Sequence, residues 1–404
     1  MIGSPIDSLT FVGIIRKAMP HLLIVFILTI GHLPYSTYYK AELNLFFLLI
    51  IGITFSINWK YLWHALPENS TEKSFLILLI YLLINGLTTN KASNQVTNLI
   101  LQTLLLFFSL KISLKHCRAE NLYTTVLGLS TIILFVECAF CVMQYLGKST
   151  NINGRYLIGG ISGHPGITMC STVLPMSLVV PGNLFQNPKS RTKLIFSLTL
   201  LLMTLALAVF LKSRASVAVI VVVLGVHLYR TVKIAPIWKR KIIPLTGLAF
   251  ISGLAVLKFN STLGRLSIWK KCISILSDTP MFGRGLGNFI AEFNNYQRGY
   301  FSANQHLLHD KSAEYTSMAY NDFLEIGVET GGIGMLLLMI TFGGFFKNQS
   351  NLSRASSPFT TFYSGIALVI IMLTWSLIKT TYFLSFFTLI IILSNKSHEL
   401  KNNH

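Results

Sequence analysis

Long stretches of apolar residues alternate along the chain with short breaks in which lysine, arginine, asparagine and glycine gather. The runs fall at about 18–34, 42–58, 74–89, 96–114, 122–146, 158–181, 193–211, 215–230, 242–258, 331–346, 359–377 and 379–395. At about 1.5 Å of rise per residue, some twenty residues cross the roughly 30 Å of bilayer hydrocarbon, and these runs are near or slightly below that length. They are apolar on all sides, without the alternation of apolar and polar residues that a strand of a membrane barrel needs. The pattern predicts an all-α polytopic membrane protein of about 12 transmembrane helices. Only Lys379 divides the last two runs, so the count is open by one or two.

The positively charged breaks orient these spans, because cytoplasmic loops collect Lys and Arg. With both termini inside, nineteen of the 33 Lys and Arg fall in inner segments, seven in short outer segments, and seven in or beside one long outer segment. The division is then 1–258 for spans one to nine, 259–330 for an outer loop domain, 331–395 for spans ten to twelve and 396–404 for a cytoplasmic tail. A structureless loop of that length is unusual, so the outer segment is expected to be helical. Leu266, Trp269, Ile273 and Leu276 recur at helical spacing behind Ser261-Thr262, and Asp278-Thr279-Pro280 stops the run.

Composition agrees. Hydrophobic residues make up 52% of the 404 residues, charged residues 12%, and mean hydropathy is +0.61, which excludes soluble enzyme folds, disordered scaffolds and disulfide-stapled domains. The net charge of +19 would suggest a nucleic-acid partner in a soluble protein; here it follows from the basic inner loops, and no nucleic acid is expected. The five cysteines mostly lie in or beside apolar runs, with no metal-site spacing. The first run ends in Gly31-His32-Leu33-Pro34 without a small-x-small cleavage pattern, so it reads as a retained span.

Half of the fourteen acidic residues lie in the outer segment, so any chemistry is expected there. Arg214, with Lys212, sits between two apolar runs, either as a cation reaching the headgroups or as a guanidinium suited to a diphosphate. Arg265 opens the outer helix with the same two readings, and two arginines on one side of the membrane can clamp a diphosphate between them. Glu137, in the fifth run, needs a partner or a watery cavity; Gln144, two turns on, is one local candidate. Gly159 to Gly166, with His164, permits a close-packed, broken backbone at the start of the sixth span. The glycine-rich segment around Arg284 lacks nucleotide-loop spacing, though Arg284 itself joins the cations expected at the diphosphate, and Arg155 and Asn321 join Glu137, Gln144 and His164 as expected cavity residues. His306 and His309 share a helix face and offer a titratable base; with no third ligand at recognisable spacing, no metal is expected. Asp322, Glu325 and Glu329 form an acidic stripe leading into the tenth span, for which pairing with arginines is the most natural expectation.

In order, Ser213-Arg214-Ala215, Arg265 with Trp269, Asp278-Thr279-Pro280 running into Phe282-Gly283-Arg284-Gly285-Leu286-Gly287-Asn288-Phe289, Asn321-Asp322-Phe323-Leu324-Glu325, and Glu329-Thr330-Gly331-Gly332-Ile333-Gly334 resemble the O-antigen ligase and polymerase superfamily of bacterial membrane glycosyltransferases. Arg155 and Gly163-His164-Pro165 resemble the start of that family's sixth span. The resemblance implies an inner-membrane protein whose long helical loop is periplasmic. It implies transfer of a glycan from undecaprenyl diphosphate to an acceptor, with Arg214 and Arg265 on the diphosphate and no cofactor or metal. Many members carry a histidine before the asparagine of the penultimate motif; this chain carries Tyr320 before Asn321. The base is therefore His309, His306 or Glu325, or Tyr320 only orients the acceptor.

The resemblance leaves the acceptor open among lipid A core for a ligase, a carrier-linked repeat for a polymerase, and protein hydroxyls for an oligosaccharyltransferase; ligase-type transfer is favoured narrowly. The rival readings are a transporter or flippase of lipid-linked glycans, against which the unmatched outer loop argues, and a non-catalytic partner in a polysaccharide machine.

Overall fold

A computed structural model describes residues 11–30, 32, 48–54, 56, 66–88, 94–115, 117, 119–147, 158, 160–162, 164–186, 191–231, 259–303, 316, 318–352, 361–376 and 378–402. The ninth apolar run, most of the second, Arg155, His306 and His309 lie outside the described residues. Within them the chain is helical, with α1 (Phe11–Ile30), α2 (Ser70–Thr88), α3 (Asn94–Leu114), α4 (Ala119–Leu146), α5 (Pro165–Gln186), α6 (Arg191–Phe210), α7 (Arg214–Thr231), α8 (Phe259–Asp278), α9 (Phe289–Ala303), α10 (Asp322–Leu352), α11 (Thr361–Thr374) and α12 (Thr381–Asn402).

Among the described residues five helices are long and apolar enough to cross a membrane, namely Ser70–Thr88, Gln95–Leu114, Asn121–Leu146, Arg191–Phe210 and Asp322–Gln349. Shorter apolar helices cover Pro165–Pro181, Arg214–Val226, Thr361–Thr374 and Thr381–Asn395. By length and composition these helices are those of a helical membrane protein, and the described residues do not establish the expected twelve spans. The apolar residues that face outward fit that environment: Ile132, Phe135, Val142 and Met143 on α4, and Ile195, Leu202 and Val209 on α6, are exposed. A water-facing surface of that kind would be an aggregation liability; against lipid it costs nothing.

The core is one large apolar cluster built around α12, whose residues from Thr381 to Ser394 are buried throughout, and around α5. Helix α10 packs most extensively on α2 and also contacts α8, α11 and α12. A polar knot fastens one end of this group. Asn69 Oδ1 caps α2 by accepting from the Glu72 N–H at 2.8 Å, and buried Glu72 accepts from Lys111 Nζ of α3 at 2.6 Å and from Asn395 of α12. A second, smaller core joins Ile268, Cys272 and Ile275 of α8 to Phe289 and Phe293 of α9 and Val328 of α10.

Helix α8 ends at Asp278, where the sequence pattern stops, and the acidic stripe begins α10. Helix α10 does not run straight. At Gly331, φ is 71° and ψ −169°, so the helical ladder is broken. The segment 280–285 fills the break: the Gly332 N–H donates to Pro280 O at 2.7 Å, while the Arg284 and Gly285 N–H groups donate to Val328 O at 2.9 Å and Glu329 O at 2.7 Å. Backbone groups that a break would strand in an apolar setting are thus satisfied by a neighbouring backbone. The approach is so close that a Cβ on Gly331 would strike the Met281 carbonyl, and one on Gly283 the Glu329 carbonyl. Both glycines have positive φ, which together with that contact explains the residue type.

Candidate functional site

Aromatic and cationic side chains from separate elements gather about the end of α11, near α8 and the segment before α10. Helices α6 and α7 are joined by a turn of three residues, Leu211 to Ser213. The Ser213 N–H donates to Ala208 O at 2.9 Å and the Lys212 N–H to Val209 O at 3.0 Å, with Lys212 at φ 53°, a helix stop that glycine more often provides. The abrupt reversal makes Arg214 the first residue of α7, where a helix directs N–H groups outward and favours anions. Lys212 itself is exposed and belongs to the turn.

Arg265 lies on α8 and donates from Nη1 to Thr374 O, the carbonyl end of α11, at 3.0 Å. Its guanidinium carbon lies 4.9 Å from the Tyr320 ring centroid. Burial first, and then the nearby positive charge of Arg214, lower the Arg265 pKa from its ordinary value, with Tyr320 opposing them. Two positive charges that raise each other's potential in a partly buried setting form an arrangement that an anion would relieve.

Tyr320 adopts φ 55°, uncommon for a bulky residue and the kind of outlier that clusters at functional sites. Its ring stands edge-on to Trp375 with centroids 5.9 Å apart. Trp375 in turn meets His164 at 5.4 Å, and Gly166 packs so closely on the indole that a Cβ there would lie 2.9 Å from it. His164 therefore joins the cluster through Trp375. Trp269, the aromatic partner of Arg265 in the sequence motif, holds the same segment from below, its Nε1–H donating to Ala319 O at 3.0 Å.

Other expected site residues have different work. Glu325 is buried and both its oxygens are taken: Oε1 meets Lys379 Nζ at 2.5 Å and Oε2 accepts from the Ala319 N–H at 2.9 Å. A carboxylate so occupied is poorly placed to accept an acceptor's proton, and its cation is Lys379 where an arginine was expected. Glu329 meets the same ammonium at 2.9 Å and also accepts from the Phe289 N–H at the start of α9, at 2.9 Å. Burial would lower the Lys379 pKa, but Glu325 and then Glu329 outweigh it, so the ammonium stays charged. Asn321 is the N-cap of α10, its Oδ1 accepting from Phe323 and Leu324 N–H at 3.0 and 3.2 Å. Arg284 faces carboxylates, with Asp278 at 3.5 Å and Glu292 at 3.9 Å, an arrangement that competes with any diphosphate.

Glu137 is fully buried and finds its partner far along the chain: Oε1 lies 2.6 Å from His32 Nδ1, and Oε2 accepts from the Ile161 N–H at 3.0 Å. Gln144, expected as that partner, instead clamps the backbone of Gly160 at 3.1 Å through both ends of its amide. Both side chains hold the segment that leads into His164. Trp375 and Lys379 escaped the sequence reading as site residues. The available signal was a lysine flanked by apolar runs, which needs partners inside the bundle.

Residues 187–339, a little over a third of the chain, match the family described as O-antigen ligase. The match spans Arg214, Arg265, Tyr320, Glu325 and the break at Gly331, and leaves His164, Trp375 and Lys379 outside. No curated protein matches the chain.

Proposed function

We propose that the chain, whose residues 187–339 match the family described as O-antigen ligase and whose helices include five long and apolar enough to cross a membrane, transfers a glycan from undecaprenyl diphosphate to an acceptor at the periplasmic face of a bacterial inner membrane. The observation that carries this reading is the placement of two arginines around one end of α11: Arg214 opens α7, which packs on α11, and Arg265 donates to the carbonyl end of α11 beside Tyr320.

In this reaction the acceptor oxygen forms a bond to the sugar's anomeric carbon as the bond from that carbon to the diphosphate oxygen breaks. The electron pair leaves with the diphosphate, whose charge grows as the bond breaks. Fixed guanidinium groups stabilise that growth more than they stabilise the bound donor, which is the condition for a faster reaction. The acceptor proton passes to a base, for which we assign His309, since Glu325 is engaged at both oxygens. Tyr320 shapes the acceptor side and holds the Arg265 plane. We favour lipid A core as acceptor over a carrier-linked repeat or a protein hydroxyl. The termini are assigned to the cytoplasm on the lysine and arginine distribution.

The test is transfer by the purified protein from a carrier-linked donor to those three acceptors in parallel. Arg214→Ala and Arg265→Ala are each expected to lower transfer by about a hundredfold or more, as loss of a charge-stabilising donor does. Transfer that survives both substitutions would sink the reading, and movement of donor across vesicles without transfer would favour a flippase.

A further inference from the structure

The turn between α11 and α12 is fastened to the site residue by residue. Thr374 O accepts from Arg265, Trp375 stands against Tyr320 and His164, and Ser376 Oγ accepts from the Asn321 N–H at 3.2 Å. The Ile378 N–H donates to Asp322 Oδ1 at 3.0 Å, and Lys379 reaches Glu325 and Glu329. Lys379 is the strongest of these ties. Its two carboxylates are one helical turn apart on α10, just before the break, and each also holds a backbone N–H of another segment: Ala319, beside Tyr320, and Phe289, at the start of α9. One ammonium therefore joins the turn, α10, α9 and the Tyr320 segment.

The cluster holds more carboxyl groups than a single ammonium needs for an ion pair. One cation meets two carboxylates, and Glu329 Oε2 is buried without a hydrogen-bond partner among the described residues. Well-packed apolar side chains often stabilise such a position as well or better, whereas ions fix geometry. The neighbours that depend on that geometry are Arg265 and Tyr320.

We infer that Lys379 is a positioning residue: bound by Glu325 and Glu329, it fixes its own neighbourhood at the start of α12, with Trp375 and Ser376, against broken α10 and so sets Trp375, Tyr320 and the Arg265 guanidinium relative to one another. Its side chain acts through these residues. The inference rests on the proposed transfer reaction only for its kinetic readout.

The test compares the wild-type protein with Lys379→Arg and with the neutral triple variant Lys379→Met, Glu325→Gln, Glu329→Gln, which keeps amide acceptors for Ala319 and Phe289 and leaves no buried charge unpaired. The first readout is 19F NMR of 5-fluorotryptophan protein, the Trp375 signal being assigned by its disappearance in Trp375→Phe. The triple variant is expected to remain monodisperse while its Trp375 signal shifts by more than a linewidth, and Lys379→Arg to keep the wild-type position. The second readout is transfer, where the triple variant loses at least about tenfold in kcat with donor KM within about threefold, and Lys379→Arg restores it. An unmoved Trp375 signal in the triple variant overturns the inference. So does a triple variant that fails to fold, which would make the cluster a general stabiliser. A wild-type protein that transfers nothing defeats the reaction proposed above and leaves the 19F result to decide.

Discussion

The Arg265 guanidinium lies over the Tyr320 ring at 4.9 Å, while one of its N–H donors is committed to the carbonyl end of α11. The cation is thus aimed by an aromatic face on one side and a helix terminus on the other. Tyr320→Phe keeps that face and is expected to retain transfer within about threefold. Tyr320→Ala removes it and should cost roughly 0.5–2 kcal/mol, or about two- to thirtyfold, in steady-state transfer assays. Loss of activity in Tyr320→Phe equal to that in Tyr320→Ala would assign the work to the hydroxyl instead.

The Lys379 cluster sets a pH dependence with a definite sign. The folded-state pKa of Lys379 is raised above its ordinary value of 10.5, so its contribution to stability is fully present below that value and is lost as pH rises through the folded value. Thermal unfolding should therefore show Lys379→Met less stable than wild type by about 3–5 kcal/mol, the cost of leaving buried carboxylates without their cation. The gap should be constant from pH 7 to 9 and narrow only above about pH 10.5. A gap that closes by pH 8 would mean that the ammonium is not held by these carboxylates.

At the break in α10, Gly331→Ala and Gly283→Ala each combine positive φ with a Cβ pressed into a neighbouring carbonyl. Each is expected to cost at least about 2–3 kcal/mol and to lower the yield of monodisperse protein. Gly343 on the same helix has nothing within 4 Å of its Cβ position, and Gly343→Ala should be neutral or slightly stabilising. Fluorescence-detected size-exclusion chromatography at rising temperature separates the three, and equal behaviour would refute the close approach.

For the buried His32 and Glu137 pair, the amide of Glu137→Gln can still accept from the Ile161 N–H, whereas Glu137→Ala cannot. The order of melting temperatures should be wild type, then Gln, then Ala. His32→Leu, which leaves a buried carboxylate without its partner, should fall near or below Ala, at about 3–5 kcal/mol. A Gln variant less stable than Ala would remove the hydrogen bond to the segment before His164 as the pair's purpose.

Much of the helical frame can be read from the chain, because a span is a local property: length, apolarity and the charges at its ends. The stop of α8 at Asp278 is local too, and it emerges in place, whereas the break at Gly331 depends on the backbone of 280–285 that fills it. Arg214 and Arg265 can be named as candidates for one anion from residue type and side of the membrane alone. Partners across the bundle cannot be. Spacing suggests Gln144 for Glu137, yet the partner is His32, more than a hundred residues earlier. The acidic stripe suggests arginines, yet it faces Lys379, which in the sequence merely divides two spans. Helical periodicity says which side chains share a face, and only the packing of helices says what that face meets.

The clasp between 280–285 and α10 is made of main-chain bonds, so it takes little notice of which side chains decorate it. Met281 and Phe282, within the clasp, are 60% and 62% exposed. Selection can therefore alter those outward positions freely while the two glycines keep the fastening shut. A chain built this way can change what it presents to a partner or acceptor without first having to find a new way to hold itself together.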